Sequence, residues 1–140
     1  SSVPMPKQPA RKSSSVRSNR PAPMVLKTIR RGDIWFAVLD PTVGNEIRKR
    51  RPVVVVSNDA GNRVSGVITI VPLTSNIERV FPFEVLLDAA ATGLERDSKA
   101  CAQQVRTISR MRLAERRGGV GPPERMRALD AALRLHLALG

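Results

Sequence analysis

The sequence has little of what metal sites and disulfide frameworks need. Its 140 residues include one cysteine, Cys101, and one histidine, His136. A single cysteine excludes an intrachain disulfide, and together with one histidine it cannot supply the four ligands of a tetrahedral zinc site. Carboxylates are not clustered in a way that suits a hard cation. We therefore predict no metal site and no cofactor.

Long apolar runs are also missing. None approaches the roughly 20 residues that span a bilayer, and the N-terminus lacks the hydrophobic segment of a secretory signal. These absences predict a soluble, cytoplasmic protein without a membrane partner. His136 lies on the apolar stripe of the last helix, where a histidine is more typical of a core edge than of a catalytic triad.

Acidic residues are absent from the first 30 positions, which carry seven of the 24 lysines and arginines. The formal net charge of the whole chain is +12, and residues 31–140 keep a smaller basic excess. Such an excess favours a polyanion as the partner, and nucleic acid is the commonest one. Solubility alone is the competing explanation.

Residues 1–29 are predicted to form a basic extension before a folded domain of residues 30–140. Residues 1–23 have too few large apolar side chains to offset the entropy of ordering them, which predicts disorder. Two interpretations stay open for this extension. It is a flexible arm that adds phosphate contacts, or a remnant upstream of a native start at Met24.

Short strands fill the middle of the chain. The unbroken valines at 53–56 indicate a strand covered on both faces, and Pro52, which has no N–H, fits its first position. The cations of residues 48–51 are expected in a loop at the mouth of the sheet, because unpaired charges are not buried. Further strands are predicted at residues 34–38, 66–73, 79–87 and 98–109, with turns or loops at 39–51, 58–62 and 118–121.

A helix ends the chain and begins at Pro122 or Pro123, since proline suits the first helical position. Its apolar stripe follows helical spacing and consists of Met126, Leu129, Leu133 and Leu137, with Leu135 and Leu139 beside them. A stripe this broad predicts burial against the sheet and a second subunit. Together the elements predict a mainly β fold with some α-helix, built as a small barrel or curled sheet.

The chemically useful residues that remain are arginine, glutamate, threonine and glutamine. A fixed guanidinium binds the non-bridging oxygens of a phosphodiester bidentately, and RNA brings its own nucleophile, the 2′-OH. An enzyme without a metal then needs only orientation, charge stabilisation and proton relays. This compatibility does not by itself single out a ribonuclease.

Five motifs occur in an order that resembles the MazF/PemK (Kid) family of toxins from bacterial toxin–antitoxin systems. They are Arg31-Gly32-Asp33-Ile34-Trp35; Leu39-Asp40-Pro41 with Gly44-Asn45-Glu46; Arg51-Pro52 with the valines and Ser57-Asn58-Asp59; Val71-Pro72-Leu73-Thr74; and Asp97-Ser98-Lys99-Ala100 with Gln104-Val105-Arg106-Thr107-Ile108. The resemblance covers about residues 30–139. It implies an SH3-like plasmid-maintenance-toxin barrel that forms a homodimer. It also implies a metal-independent, sequence-specific endoribonuclease for single-stranded RNA and a MazE-like antitoxin as partner.

The resemblance also implies roles for single residues. Arg51 and Thr74 match the catalytic pair, and Glu46 matches an acid that assists proton transfer. RNA contacts are implied at Asn45, Arg48, Lys49, Arg50 and Gln104. The sequence departs from many relatives in the cations at 48–50, so Arg50 competes with Arg51 for the catalytic role and the cleavage motif is not transferable.

Arginine is a poor base because its pKa lies above about 12. We therefore expect Arg51 to stabilise phosphate charge and to protonate the leaving 5′-oxygen. Water or Glu46 then takes the 2′-OH proton, and the products are a 2′,3′-cyclic phosphate and a 5′-OH. Whether the target is mRNA, tRNA or rRNA stays open.

Two other functions compete with this one. CcdB-like toxins use the same barrel to bind DNA gyrase without nuclease activity, through contacts on the terminal helix. The pair of Arg51 and Thr74 favours a ribonuclease, because a gyrase binder does not need it. A non-catalytic RNA-binding module would keep the basic loop and show no turnover.

Overall fold

The computed structural model describes residues 27–40 and 50–140. Within these ranges the strands are β1 (Asp33–Val38), β2 (Arg50–Val55), β3 (Val67–Thr74), β4 (Glu84–Leu87), β5 (Ser98–Cys101), β6 (Arg106–Ser109) and β7 (Leu113–Gly119). The α-helices are α1 (Asp59–Val64), α2 (Ala89–Thr92) and α3 (Pro123–Leu137). This arrangement confirms the predicted mainly β fold with a C-terminal helix.

The strands form one antiparallel sheet in the order β4-β5-β3-β2-β1-β7, with β6 also paired to β3. In the described ranges β7 pairs with β1 only, and no ladder joins it to β4 or β6. Of the two predicted forms, the curled sheet is therefore the observed one, and the barrel is not closed.

Strand β2 separates two hydrophobic cores. Val53, Val54 and Val55 have no exposed surface. Val54 contributes to a core that includes Leu129 of α3, whereas Val53 and Val55 belong to a core around Trp35. The predicted strand covered on both faces is confirmed. Because burying one valine is worth about 1.5–3 kcal/mol, this double burial fixes the register of β2.

The two arginines before the valines are part of β2 itself. Arg50 pairs with Val38 and Arg51 pairs with Ala37 of β1. The prediction that they lie in a loop was wrong, and the strand begins at Arg50 instead of Pro52. Both side chains are exposed, so a place on a strand does not require their charges to be buried.

One predicted strand is divided into two. The sequence predicted a single strand over residues 98–109, but a 3-10 turn at Ala102–Gln104 separates β5 from β6. Strand β6 pairs with the first half of β3 and β5 with its end, so the turn lies opposite Val71 and Pro72. Proline offers no N–H to a ladder, and the neighbouring strand breaks beside it.

Three further predictions need correction. The strand predicted over residues 79–87 is only Glu84–Leu87, and the turn predicted at 58–62 is mostly helix α1. The loop predicted at 118–121 includes the end of β7. Gly118 lets β7 pass α2, because a Cβ there would lie 1.9 Å from the carbonyl oxygen of Thr92.

The folded part begins before residue 30. Ile29 is buried in the core around Trp35, and the Lys27 ammonium donates to the carbonyl of Leu113. The predicted disorder of residues 1–23 and the start at Met24 lie outside the described residues.

Helix α3 begins at Pro123, as predicted, and buries Leu129 and Ala132. Toward its C-terminal end, Leu135 and Leu137 are 56% and 50% exposed and His136 is exposed. The sheet therefore does not bury this end, and its burial against a second subunit stays a prediction. The prediction that His136 lies at the edge of the core was wrong. None of the described helices is both long and apolar enough to cross a membrane.

Candidate functional site

The ends of β2 and β3 bring Arg51 and Thr74 together. The two strands pair Val53 with Pro72, and continuing this register by two residues sets Arg51 opposite Thr74. The Arg51 guanidinium donates to the carbonyl of Leu73, with Nη2 and O 3.4 Å apart. Because paired residues of an antiparallel ladder point to the same face, both side chains share one side of the sheet.

Thr74 keeps a hydroxyl proton to donate. Its Oγ1 accepts a hydrogen bond from the Asn76 backbone N–H at 3.2 Å, and a hydroxyl has one donor besides its acceptor sites. The side chain is half-buried at the end of its strand. An anion placed between Thr74 and Arg51 can therefore receive hydrogen bonds from both.

A groove of about 620 Å³ opens on this face. Its lining consists of Arg51, Gln104 and Arg106 together with Leu39, Asp40 and Pro72. Gln104 reaches the groove because the 3-10 turn carries it away from the ladder, and both Gln104 and Arg106 are exposed. The structure thus places predicted residues Arg51 and Gln104 in one groove.

Arg106 also lines the groove and was not among the predicted site residues. It pairs with Ile70 of β3 while Ile108, two residues on, is buried opposite Ile68. The alternation along β6 therefore directs Arg106 to the same face as Arg51. The sequence signal for Arg106 is its position two residues before the apolar Ile108. This spacing is informative only when the start of β6 is known.

Arg50 does not share this groove. Side chains alternate along a strand, and Arg50 lines a separate cavity with Phe36 and Pro52 on the opposite face. Arg50 and Arg51 therefore line different cavities, and this placement does not support the predicted competition for one site. The remaining predicted residues, Glu46, Asn45, Arg48 and Lys49, lie outside the described residues.

A buried ion pair lies beside Thr74. Lys99 of β5 stands opposite Thr74 and forms a 2.9 Å ion pair with Glu84. The carboxylate also accepts hydrogen bonds from the Phe81 N–H at 2.9 Å and the Gln103 side chain at 2.6 Å. Neither Glu84 nor Lys99 was predicted to have a role.

The charge of Glu84 is stabilised by these contacts. Burial raises the pKa of the carboxyl, but the hydrogen bonds from Lys99, Phe81 and Gln103 and the attraction of Lys99 outweigh burial and lower the pKa to about 2. The ionised carboxylate therefore ties Gln103, and with it the turn that carries Gln104, to β4 and β5.

Other reactive groups do not gather at the groove. In the described ranges no three histidine, cysteine, aspartate or glutamate side chains lie close enough to hold one metal ion. Cys101 is buried. Burial raises the pKa of its thiol, and the negative charge of nearby Glu84 raises it further. A buried thiol with a raised pKa is a poor nucleophile.

The fold and the groove define a small curled-sheet protein with arginine, threonine and glutamine at the end of its central strands. A match to the family described as "PemK-like, MazF-like toxin of type II toxin-antitoxin system" spans residues 30–137. The chain belongs to this family, which confirms the resemblance carried by its motifs.

Two bacterial proteins are similar in sequence to most of the chain. It is 51% identical over 116 residues to endoribonuclease MazF9 of Mycobacterium tuberculosis, covering 79% of this chain and 98% of the relative. It is 40% identical over 112 residues to endoribonuclease EndoA of Bacillus subtilis, covering 79% of this chain and 96% of the relative.

Solved structures share the fold. MazF of Deinococcus radiodurans aligns with a TM-score of 0.66 at 27% identity, covering 81% of this chain and 99% of that one. An endoribonuclease from a mycobacterial species, solved in complex with its cognate antitoxin, aligns with a TM-score of 0.66 at 26% identity and covers 79% and 96%.

Proposed function

We propose that this protein is a toxin endoribonuclease that cuts single-stranded RNA at short sequences without a metal ion. The observation that carries the proposal is the groove in which Arg51 lies with Gln104 and Arg106. The Arg51 guanidinium also contacts the Leu73 carbonyl at the end of β3, next to Thr74. Membership of the MazF-like family and the 51% identical relative named an endoribonuclease support it. The match gives no support to gyrase binding.

The proposed reaction is attack of the RNA 2′-OH on the adjacent phosphorus. Arg51 binds the non-bridging oxygens and gives a proton to the leaving 5′-oxygen, while the Thr74 hydroxyl donates to the phosphate. Water or Glu46 accepts the proton of the 2′-OH. One P–O bond forms and one breaks, which leaves a 2′,3′-cyclic phosphate and a 5′-OH.

The proposed partners are a second copy of the chain and a MazE-like antitoxin. Apolar side chains exposed at the end of α3, among them Leu135 and Leu139, support a subunit interface. The antitoxin complex of a solved relative supports the second partner. An acidic segment of such an antitoxin fits a groove that presents Arg51 and Arg106. A cytoplasmic location agrees with both partners.

The test is incubation with a long RNA of mixed sequence in EDTA. We expect discrete cuts by the wild type, and their loss in Arg51→Ala and Thr74→Ala. Arg127→Ala, which removes an exposed arginine of α3, serves as the matched control and keeps its activity. Circular dichroism checks that every variant is folded.

Two results would contradict the proposal. One is a folded wild type that makes no cuts in any RNA. The other is cleavage of a substrate whose 2′-OH at the cut site is replaced by hydrogen, since the proposed nucleophile is then missing.

A further inference from the structure

A second cavity opens on the sheet face opposite Arg51. Its volume is about 580 Å³, and pockets for small ligands typically measure about 300–1,000 Å³. The lining combines an aromatic ring with charges of both signs, from Phe36, Arg50, Arg96, Arg117, Glu95 and Glu115. The proposed reaction leaves this cavity unused.

Two residues that line the cavity are adjacent in sequence to Arg51 and Thr74. Arg50 precedes Arg51 on β2, and Ser75, which also lines the cavity, follows Thr74. Successive residues of a strand are only ~3.3 Å apart and point to opposite faces. An RNA strand bound at Arg51 and Thr74 needs only to pass the ends of β2 and β3 for its next nucleotide to reach the cavity.

The lining has the groups that recognise a nucleobase. The Arg117 guanidinium lies 5.7 Å from the centroid of the Phe36 ring, and its Nε donates to the carbonyl of Gly93 at 2.9 Å. This hydrogen bond fixes the guanidinium plane beside the ring. Unpaired RNA bases stack on aromatic rings and on arginine planes, so a base can enter beside Phe36 and Arg117.

In the described residues, the charged side chains of this cavity are not paired with one another. In the part of the chain that the structure describes, no ion pair joins Arg50, Arg96 or Arg117 to Glu95 or Glu115. Arginine donates to guanine O6 and N7, and carboxylates accept hydrogen bonds from base amino groups. An acidic peptide would meet Glu95 and Glu115 at like charge, so the lining favours a base.

We infer that this cavity binds the base of a nucleotide next to the cut bond and contributes to the sequence preference of cleavage. The inference rests on the proposed ribonuclease function. Glu95 and Glu115 select bases with an amino group, Phe36 and Arg117 stack on the ring, and Arg50 binds the phosphate at the rim.

The first experiment measures sequence preference. A pool of RNAs with randomised positions is cut by the wild type, Glu95→Gln and Glu115→Gln, and the cut sites are sequenced. We expect the base preference at one position beside the cut to change by about tenfold, while preferences elsewhere stay the same. Glu124→Gln, the same substitution at an exposed residue of α3, is the matched control.

A structural effect of these variants would lower the rate at every sequence equally. Preferences that stay within twofold of the wild type in both variants would overturn the inference, provided that the wild type cuts RNA.

The second experiment does not depend on cleavage. Each of the four nucleoside monophosphates is titrated into the isotope-labelled wild type and followed by NMR. We expect one or two nucleotides to shift the amide signals of Phe36, Ser98 and Arg117, and Glu115→Gln to weaken that binding.

The two measurements separate the two proposals. Nucleotide-induced shifts at the cavity in a protein that cuts no RNA would contradict the ribonuclease function. They would also overturn the role of the cavity in sequence preference and leave only its binding of a nucleotide. Cleavage without such shifts would overturn the pocket alone. Amide signals that shift with an acidic peptide but with no nucleotide would assign the cavity to an antitoxin. That result would also overturn the inference.

Discussion

Arg51 is a fixed charge because the strand behind it is fixed. Its neighbours Val53 and Val55 are fully buried, and its guanidinium already contacts the end of β3 through Leu73. A guanidinium presents a planar fork of donors, whereas a lysine at the same position presents a point charge. The contribution of the guanidinium's shape, as distinct from its charge, can therefore be tested by substitution.

Arg51→Lys keeps the charge and removes the fork. We expect kcat for RNA cleavage to fall about 10²-fold to 10³-fold, the usual cost of losing one donor to a developing oxyanion. Steady-state cleavage of a fluorogenic RNA measures this, with Arg127→Lys as control. Activity within threefold of the wild type would show that a point charge is sufficient.

Glu84 makes stability depend on pH in a defined direction. Its pKa falls from an ordinary 4.5 to about 2 in the folded protein. Its contribution to the free energy of unfolding is therefore complete above about pH 4.5 and is lost as pH falls toward 2. Glu84→Gln removes this contribution and leaves buried Lys99 without a charged partner.

We expect Glu84→Gln to lower the free energy of unfolding by about 3 kcal/mol at neutral pH. The difference from the wild type should shrink between pH 4.5 and pH 2, as urea unfolding at a series of pH values measures. Glu124→Gln changes the same group at an exposed position and should show no such trend. A difference for Glu84→Gln that stays constant with pH would contradict the assignment.

Among the elements, β7 and α2 cross more closely than a side chain allows. The Cβ of an alanine at position 118 would lie 1.9 Å from the Thr92 carbonyl oxygen, while one at position 119 would lie 3.5 Å from the Gly32 carbonyl oxygen. The first distance requires backbone movement and the second is an ordinary contact. The two neighbouring glycines therefore form a matched pair.

We expect Gly118→Ala to reduce the free energy of unfolding by about 3 kcal/mol, at the upper end of what overpacking costs. Gly119→Ala should change it by less than about 1 kcal/mol. Thermal unfolding of both variants measures the difference. Equal stability of the two would show that β7 can move away from α2.

The elements differ in how far the sequence predicts them. The valines of β2 predict a strand because they are β-branched and unbroken, and the prolines predict the start of α3. Strand β7 has no such pattern, since exposed charges at residues 115–117 and two glycines follow Leu113. The break between β5 and β6 is also hidden, because its counterpart, Pro72, lies on another strand.

At the scale of the whole molecule, the site assembles residues that are distant in the sequence. Arg51 and Thr74 were predicted from the family motifs, and the structure sets them on neighbouring strands. Arg106 and the cavity beside Arg50 were not predicted. Both depend on strand pairing and on which face each side chain takes, and the spacing of Arg106 from Ile108 does not by itself show either.

The basic character of the groove predicts how binding depends on salt. Each phosphate contact on single-stranded RNA contributes about 0.7 to the slope of log affinity against log salt. We expect Arg106→Gln to lower that slope by about 0.7, because Arg106 lines the groove. Fluorescence anisotropy with a substrate lacking the 2′-OH at the cut site measures binding without cleavage.

Arg127→Gln removes the same charge from α3 and should leave the slope unchanged. Equal slopes for Arg106→Gln and the wild type would place Arg106 outside the path of the RNA.

The two-sided burial of β2 also bears on how such toxins diverge. A slip of one residue would move Val54 into the wrong core and exchange the faces of Arg50 and Arg51. The buried valines forbid that slip, so insertions or deletions before Arg50 leave the position of Arg51 unchanged. We therefore expect the segment before Arg50 to vary in length and sequence among members of this family while the arginine at position 51 keeps its face of the sheet.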